Sequence, residues 1–179
     1  IISNLNNQNI KKIPKIIAVS KNFSMDNILP LIEYGHVDYG ENKVQEAVDK
    51  WIEIKSKKPN IKLHMIGKLQ TNKVKFAVKL FDYIHSVDSE KLAQKISDEQ
   101  LKINKRIKIF IQVNIGEEDQ KSGIRKEDLS KLIIFCKKIN LDVIGLMCIP
   151  PENDNSSKYF KEMKLLNDKF KFLDLSMGM

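Results

Sequence analysis

The sequence predicts an α/β fold, a (β/α)8 barrel of the TIM type, here lacking its eighth βα unit. Three observations lead there. Strand-like apolar runs alternate with amphipathic helical stretches along the chain. The runs begin near residues 16, 36, 62, 83, 107, 142 and 172, an average of 26 residues per step, which fits one strand, one helix and two loops. Most of them are predominantly apolar, as suits a parallel sheet covered by crossover helices. An open doubly wound sheet would show the same alternation. Seven units of this size favour the barrel, because eight give about 200–250 residues. On that count residues 1–179 form one domain that stops one βα unit short of closure. Because the chain opens on Ile1 rather than Met, we also expect it to begin inside a longer reading frame.

Each element has its own signal. Ile16 to Ser20 is the first strand, and Ser24 is placed to cap a helix over Met25 to Tyr34. His36 to Tyr39 forms a short second strand. Asn42 and Gln45 have capping-box spacing before a helix whose apolar face is Val44, Ala47, Val48, Trp51 and Ile52. Leu63 to Ile66 is the third strand, backed by a helix carrying Val74, Val78 and Phe81. Tyr83 to Val87 is the fourth, and Asp88 or Ser89 caps a helix running through Leu92 and Ile96. Ile107 to Ile115 reads as the longest strand, followed by a helix with Leu129, Leu132, Ile133 and Cys136. Val143 to Ile149 is stopped by Pro150-Pro151. A helix over Tyr159 to Phe170 then leads to a seventh strand, Phe172 to Met177.

Composition narrows the function. Apolar residues make up 42% and charged residues 30%, a globular balance, and no apolar run approaches the ~20 residues of a membrane helix. The net charge is +8, but only Arg106 and Arg125 among the 31 basic residues are arginine, and the lysines are spread over the whole length. Nucleic-acid binders gather their cations on one face, so a solvated surface is the better reading. Cys136 and Cys148 are too few for a disulfide framework, which suits reduced thiols in a cytoplasmic protein.

In a parallel βα protein, ligands lie beyond the carboxyl ends of the strands. Those ends fall at Ser20-Lys21, Gly40-Glu41-Asn42, Gly67, Asn114, Met147 and Ser176-Met177-Gly178-Met179. Lys21 belongs at the rim of the barrel interior, where desolvation would lower its pKa and ready the amine for a Schiff base with an aldehyde. In so lysine-rich a chain, position alone does not single it out. Asn42 is equally explained as a helix cap. His36, His64 and His85 lack metal-ligand spacing and read as packed or surface histidines. Lys121-Ser122 could reach an anion, and Ser176 and Gly178 could offer amides to a phosphate.

Taken together, the motifs resemble one family. Ile17-Ala18-Val19-Ser20-Lys21, Tyr39-Gly40-Glu41-Asn42-Lys43-Val44-Gln45-Glu46 and His64-Met65-Ile66-Gly67-Lys68-Leu69-Gln70-Thr71-Asn72-Lys73 are similar to segments of the pyridoxal phosphate homeostasis proteins. Lys121-Ser122-Gly123-Ile124, Gly145-Leu146-Met147 and Leu175-Ser176-Met177-Gly178-Met179 follow in the same order. The resemblance implies a barrel like the N-terminal domain of alanine racemase, holding pyridoxal 5′-phosphate (PLP) as a Schiff base on Lys21. It places Asn42 beside the cofactor ring and Ser176, Met177, Gly178 and Met179 in the wall near the phosphate. It further implies a monomeric carrier or buffer of intracellular PLP without turnover of its own, with PLP-dependent apoenzymes as recipients. Two departures stand out: Phe23 occupies a place where many bacterial members carry a second lysine, and the family pattern runs on past Met179 into an eighth strand with further cofactor contacts. The alternative is the barrel domain of an amino-acid racemase-type PLP enzyme. Such enzymes take a second acid/base group from a second domain.

Overall fold

The computed structural model describes residues 14–152 and 154–178. Seven strands form a single parallel sheet in sequential order: β1 (Ala18–Val19), β2 (Asp38–Glu41), β3 (Lys62–Met65), β4 (Tyr83–Val87), β5 (Lys108–Gln112), β6 (Asp142–Cys148) and β7 (Asp174–Met177). The helices between them are α1 (Met25–Glu33), α2 (Val44–Lys57), α3 (Val74–Leu80), α4 (Glu90–Lys102), α5 (Leu129–Lys138) and α6 (Ser156–Lys169). Because every strand runs the same way, all the carboxyl ends lie along one edge of the sheet. Among the described residues no helix is long and apolar enough to cross a membrane.

Strand alternation sorts the side chains onto two faces. Tyr39 and Glu41 meet Trp51 of α2, so they face the helices. Asp38 and Gly40 therefore point inward, as do His64, His85 and Ser176, which join Asp38 in one hydrogen-bonded chain. The main apolar core lies between sheet and helices. Tyr39, Trp51, Leu63, Phe81, Ile84, Ile96, Ile109, Ile111 and Leu129 are fully buried there.

The sheet leaves little room where β7 approaches β6. A Cβ on Gly145 would overlap the Asp174 carbonyl oxygen and lie 3.0 Å from the Phe110 ring. A side chain at this point would push the last strand away.

The expected boundaries shift for identifiable reasons. β1 is an end strand with a ladder on one side among the described residues, and it shortens to two residues. Its pairing still continues through Ser20 N–H to Gly40 O at 2.9 Å. β5 is not the longest strand. Past Gln112 the chain pairs with its own loop, Val113 against Ile124, and β6, with neighbours on both sides, runs longest at seven residues. Ser24 does occupy the N-cap position of α1, but its side chain makes no capping bond and instead accepts from Asn27 Nδ2. Ser89 caps α4 as expected, accepting from Leu92 N–H.

Candidate functional site

Lys21 follows β1 directly and is exposed, contrary to the desolvated rim position expected of it. Its backbone is nonetheless held firmly. Phe23 N–H donates to Ser20 O, which makes Lys21 and Asn22 the central pair of a tight turn. Asn22 has φ +64°, the left-handed value that a type II turn needs at its third position and that Asn tolerates. From α2, Lys50 Nζ donates to Ser20 O at 2.8 Å, to Phe23 O at 3.3 Å and to Glu46 Oε1 at 3.0 Å. Glu46 Oε1 also accepts from Asn22 N–H at 2.9 Å. That amide, followed by the Lys50 ammonium, holds the Glu46 carboxyl below the usual range.

Beneath the turn, Glu41 is fully buried. Its Oε1 lies 2.7 Å from Lys50 Nζ and accepts from Ser20 Oγ at 2.7 Å and Trp51 Nε1 at 2.9 Å. A buried carboxylate survives only when it is paired and hydrogen-bonded, and here the partners meet on one oxygen.

Asn42 does not cap the helix. α2 starts at Val44 with Lys43 at the N-cap position and no side-chain capping bond, while Gln45 turns outward to Asp49. The capping reading is corrected for a steric reason: Asn42 is pressed against Gly67 at the end of β3. A Cβ on Gly67 would overlap the Asn42 carbonyl oxygen and lie 2.7 Å from Asn42 Cα. Asn42 Oδ1 is buried with no hydrogen-bond partner among the described residues. An orphaned acceptor of this kind costs about 1–3 kcal/mol unless a donor arrives. Asn42 stands one strand away from the Lys21 turn, and its unpartnered Oδ1 is chemically suited to accept from a hydroxyl or amine of a bound group.

Inside the sheet, Asp38 Oδ1 lies 3.0 Å from His64 Nε2, His64 Nδ1 is 2.9 Å from His85 Nε2, and His85 Nδ1 is 2.7 Å from Ser176 Oγ. Burial lowers the pKa of His64, and burial followed by the neighbouring His64 lowers that of His85 to about 3. Both rings are therefore neutral near pH 7, each with one N–H. The Asp38 carboxylate only accepts, so His64 donates from Nε2, His85 donates from Nε2 to His64, and Ser176 donates its hydroxyl proton to His85. Of the packed and surface readings left open, His64 and His85 take the packed one, and they are also wired across four strands.

That chain changes the expected phosphate wall. The Ser176 hydroxyl proton is directed at His85, leaving its oxygen as an acceptor. The amide of Gly178, expected to serve an anion, donates to Cys148 O at 3.1 Å because β7 is still pairing with β6. Met177 is exposed, and Met179 lies outside the described residues. Lys121 is also engaged, 2.7 Å from Glu118 Oε2 and donating to Pro150 O at 3.1 Å. The sheet thus brings Lys21, Asn42, Ser176 and Gly178 to one edge, with Lys21 and Asn42 on neighbouring strands. Sequence reasoning missed Lys50, Glu46, Glu41 and Asp38 as supporting residues. The available signal was the Glu46/Lys50 pair four residues apart on a helix.

Fold and site together define a β/α sheet of the alanine racemase N-terminal domain class, and the profile of the family described as "Alanine racemase, N-terminal domain" matches residues 2–173. Among curated relatives, the pyridoxal phosphate homeostasis protein of Aquifex aeolicus is 35% identical over 175 residues, covering 92% of this chain and 76% of its own. That of Haemophilus influenzae is 33% identical, covering 92% and 74%. The structure of PipY from Synechococcus elongatus, solved both without and with PLP bound, shares 30% identity; its PLP-free form superposes with a TM-score of 0.82, covering 99% of this chain and 87% of PipY. Alanine racemase of Clostridium difficile, 17% identical with a TM-score of 0.74 and 48% of its length covered, shares the fold. The chain belongs to the pyridoxal phosphate homeostasis protein family.

Proposed function

We propose that the chain binds PLP at the carboxyl edge of its sheet and serves PLP homeostasis as a carrier or buffer. The observation that carries this reading is Asn42 Oδ1, a buried acceptor without a partner among the described residues, one strand from the Lys21 turn. The relatives' shared name and the PLP-bound structure of PipY support it. When bound, the cofactor supplies an aldehyde that condenses with an amine and releases water. Lys21 provides that amine, exposed and able to meet the incoming cofactor. Asn42 faces the ring, and Ser176, Met177 and Gly178 line the phosphate end. Given the bonds above, Ser176 would serve the phosphate only by turning its hydroxyl proton away from His85, and Gly178 only by releasing Cys148 O.

Turnover would need a proton donor opposite the lysine. The two interior imidazoles are neutral and tied to each other, so neither offers an acid, and the reading is of a protein that holds cofactor without transforming substrates. It acts in the cytoplasm as a monomer, with PLP-dependent apoenzymes as recipients. The finer architecture we infer is an eight-stranded barrel of which these are seven strands, a reading supported by the greater length of the relatives.

The test is an absorbance titration with PLP, followed by borohydride reduction and peptide mapping, on the parent, Lys21→Ala and Asn42→Ala. The label should fall on Lys21, Lys21→Ala should lose the saturable spectral change, and Asn42→Ala should weaken binding about tenfold. A parent labelled mainly on another lysine would refute the assignment.

A further inference from the structure

The geometry points to Lys50 as a positioning residue that fixes the Lys21 turn from the helix side of the sheet. This rests on the reading of Lys21 as the cofactor-binding amine. Lys21 is one of 29 lysines, and an exposed primary amine has no chemical privilege over the others. What distinguishes it is the backbone beneath it. The carbonyls on either side of the Lys21–Asn22 pair, Ser20 O and Phe23 O, accept from one ammonium, and Asn22 N–H donates to the carboxylate that takes the third proton of that ammonium.

Lys50 therefore spends all three N–H bonds within this assembly, and its charge is matched by Glu41 Oε1 at 2.7 Å and Glu46 Oε1 at 3.0 Å. Its side chain is only 13% exposed, so the ammonium itself is largely withdrawn from water, although its bond to Phe23 O lies at the exposed side of the turn. Asn22 at φ +64° is a conformation that an unsupported turn would readily leave. Lys50 and Glu46 hold it, so the Cα of Lys21 keeps a fixed place beside Asn42. The gain is preorganisation: the amine reaches the aldehyde without first ordering the turn.

The experiment uses the full chain with PLP as the probe and compares the parent, Lys50→Met, Lys50→Arg and Glu46→Ala. Lys50→Met should lower affinity about ten- to hundredfold and spread the borohydride-trapped label from Lys21 to surface lysines. It should also speed amide exchange at Asn22. Lys50→Arg, whose fork can span both carbonyls, should restore labelling at Lys21, a rescue that generic loss of packing would not predict. Should Lys50→Met fail to fold, Glu46→Ala removes only the carboxylate latch, and faster Asn22 exchange with at least threefold weaker binding is expected. Parental affinity and undivided labelling of Lys21 in a folded Lys50→Met, or in Glu46→Ala where that is the variant read, would overturn the role of Lys50 alone. Labelling of the parent away from Lys21 would instead overturn the reading beneath it, and this inference with it.

Discussion

Acidification from pH 7 to pH 5 should destabilise the fold through His85. Its pKa is lowered to about 3 in the folded chain, first by burial and then by His64, against an ordinary value of 6.5. Because the folded pKa is depressed, the unfolded chain takes up the proton first, and unfolding gains as pH falls. The stability associated with a neutral His85 is fully present above pH 6.5 and is lost progressively down to about pH 3. At pH 5 the unfolded imidazole is protonated and the folded one is not. That difference is worth about 2 kcal/mol, at ~1.4 kcal/mol per pH unit over about 1.5 units. His64, also lowered by burial, acts in the same direction. The lysine-paired carboxyls of Glu99 and Asp154, held near 2, change protonation only at lower pH.

The assay is urea denaturation of PLP-free parent and His85→Leu at pH 7 and pH 5. The variant strands His64 Nδ1 and the Ser176 hydroxyl, so it should be weaker at both pH values by about 1–3 kcal/mol. Its loss between the two should nonetheless be smaller than the parent's by about 2 kcal/mol. A parent equally stable at pH 7 and pH 5, or a variant with an undiminished pH slope, would refute the neutral, wired histidine pair.

Three further outcomes follow from particular contacts. Gly67→Ala, whose Cβ would overlap the Asn42 carbonyl oxygen, should weaken PLP binding about tenfold or more in an absorbance titration. Trp51→Phe removes the indole donor to Glu41 Oε1 and leaves a void in a fully buried site. It should cost about 2–4 kcal/mol in chemical denaturation. Cys136 and Cys148 are buried, and burial raises both thiols to about 11; a disulfide reagent at pH 8 should find neither in the native protein and both in denaturant.

The seven strands were legible because most carry β-branched or aromatic residues between polar turns at a βα spacing, although β2 (Asp38–Glu41) and β7 (Asp174–Met177) are half polar. Their ends were less legible. The end of β5 depends on Val113, which still donates to Met147 O of β6 but also bridges to Ile124, a contact set by the loop rather than by hydrophobicity. Capping spacing was right for Ser89 and wrong for Asn42, because the same pattern cannot say whether the side chain folds back on its helix or is held against a neighbouring strand. Lys21 and Asn42 could be placed at strand ends from sequence alone. The meeting of Asp38, His64, His85 and Ser176 could not, since it depends on how the sheet curls to bring β7 opposite β4. Lys50 was hidden by the chain's composition: among so many lysines, an i,i+4 pairing with Glu46 is an ordinary helix-surface signal and does not show that this one is largely buried.

Strand alternation explains why Gly40-Glu41-Asn42 has to occur as a unit. Gly40 faces inward, where a Cβ would lie 3.0 Å from Ile66 and 3.1 Å from Ile17, so a larger side chain would crowd the interior beside the first strand. Glu41 faces the helices and anchors Ser20, Lys50 and Trp51 on one oxygen. Asn42 ends the strand with a buried acceptor that the chain leaves unpaired among its described residues. Three consecutive residues thus serve clearance, support and contact on alternate sides of one strand. Substitution of Glu41, which touches nothing on the inner face, would disturb the Lys21 turn through Ser20 and Lys50. The inner face can vary its polar chain with less effect on that turn, because the bonds holding Lys21 come from α2 behind the sheet.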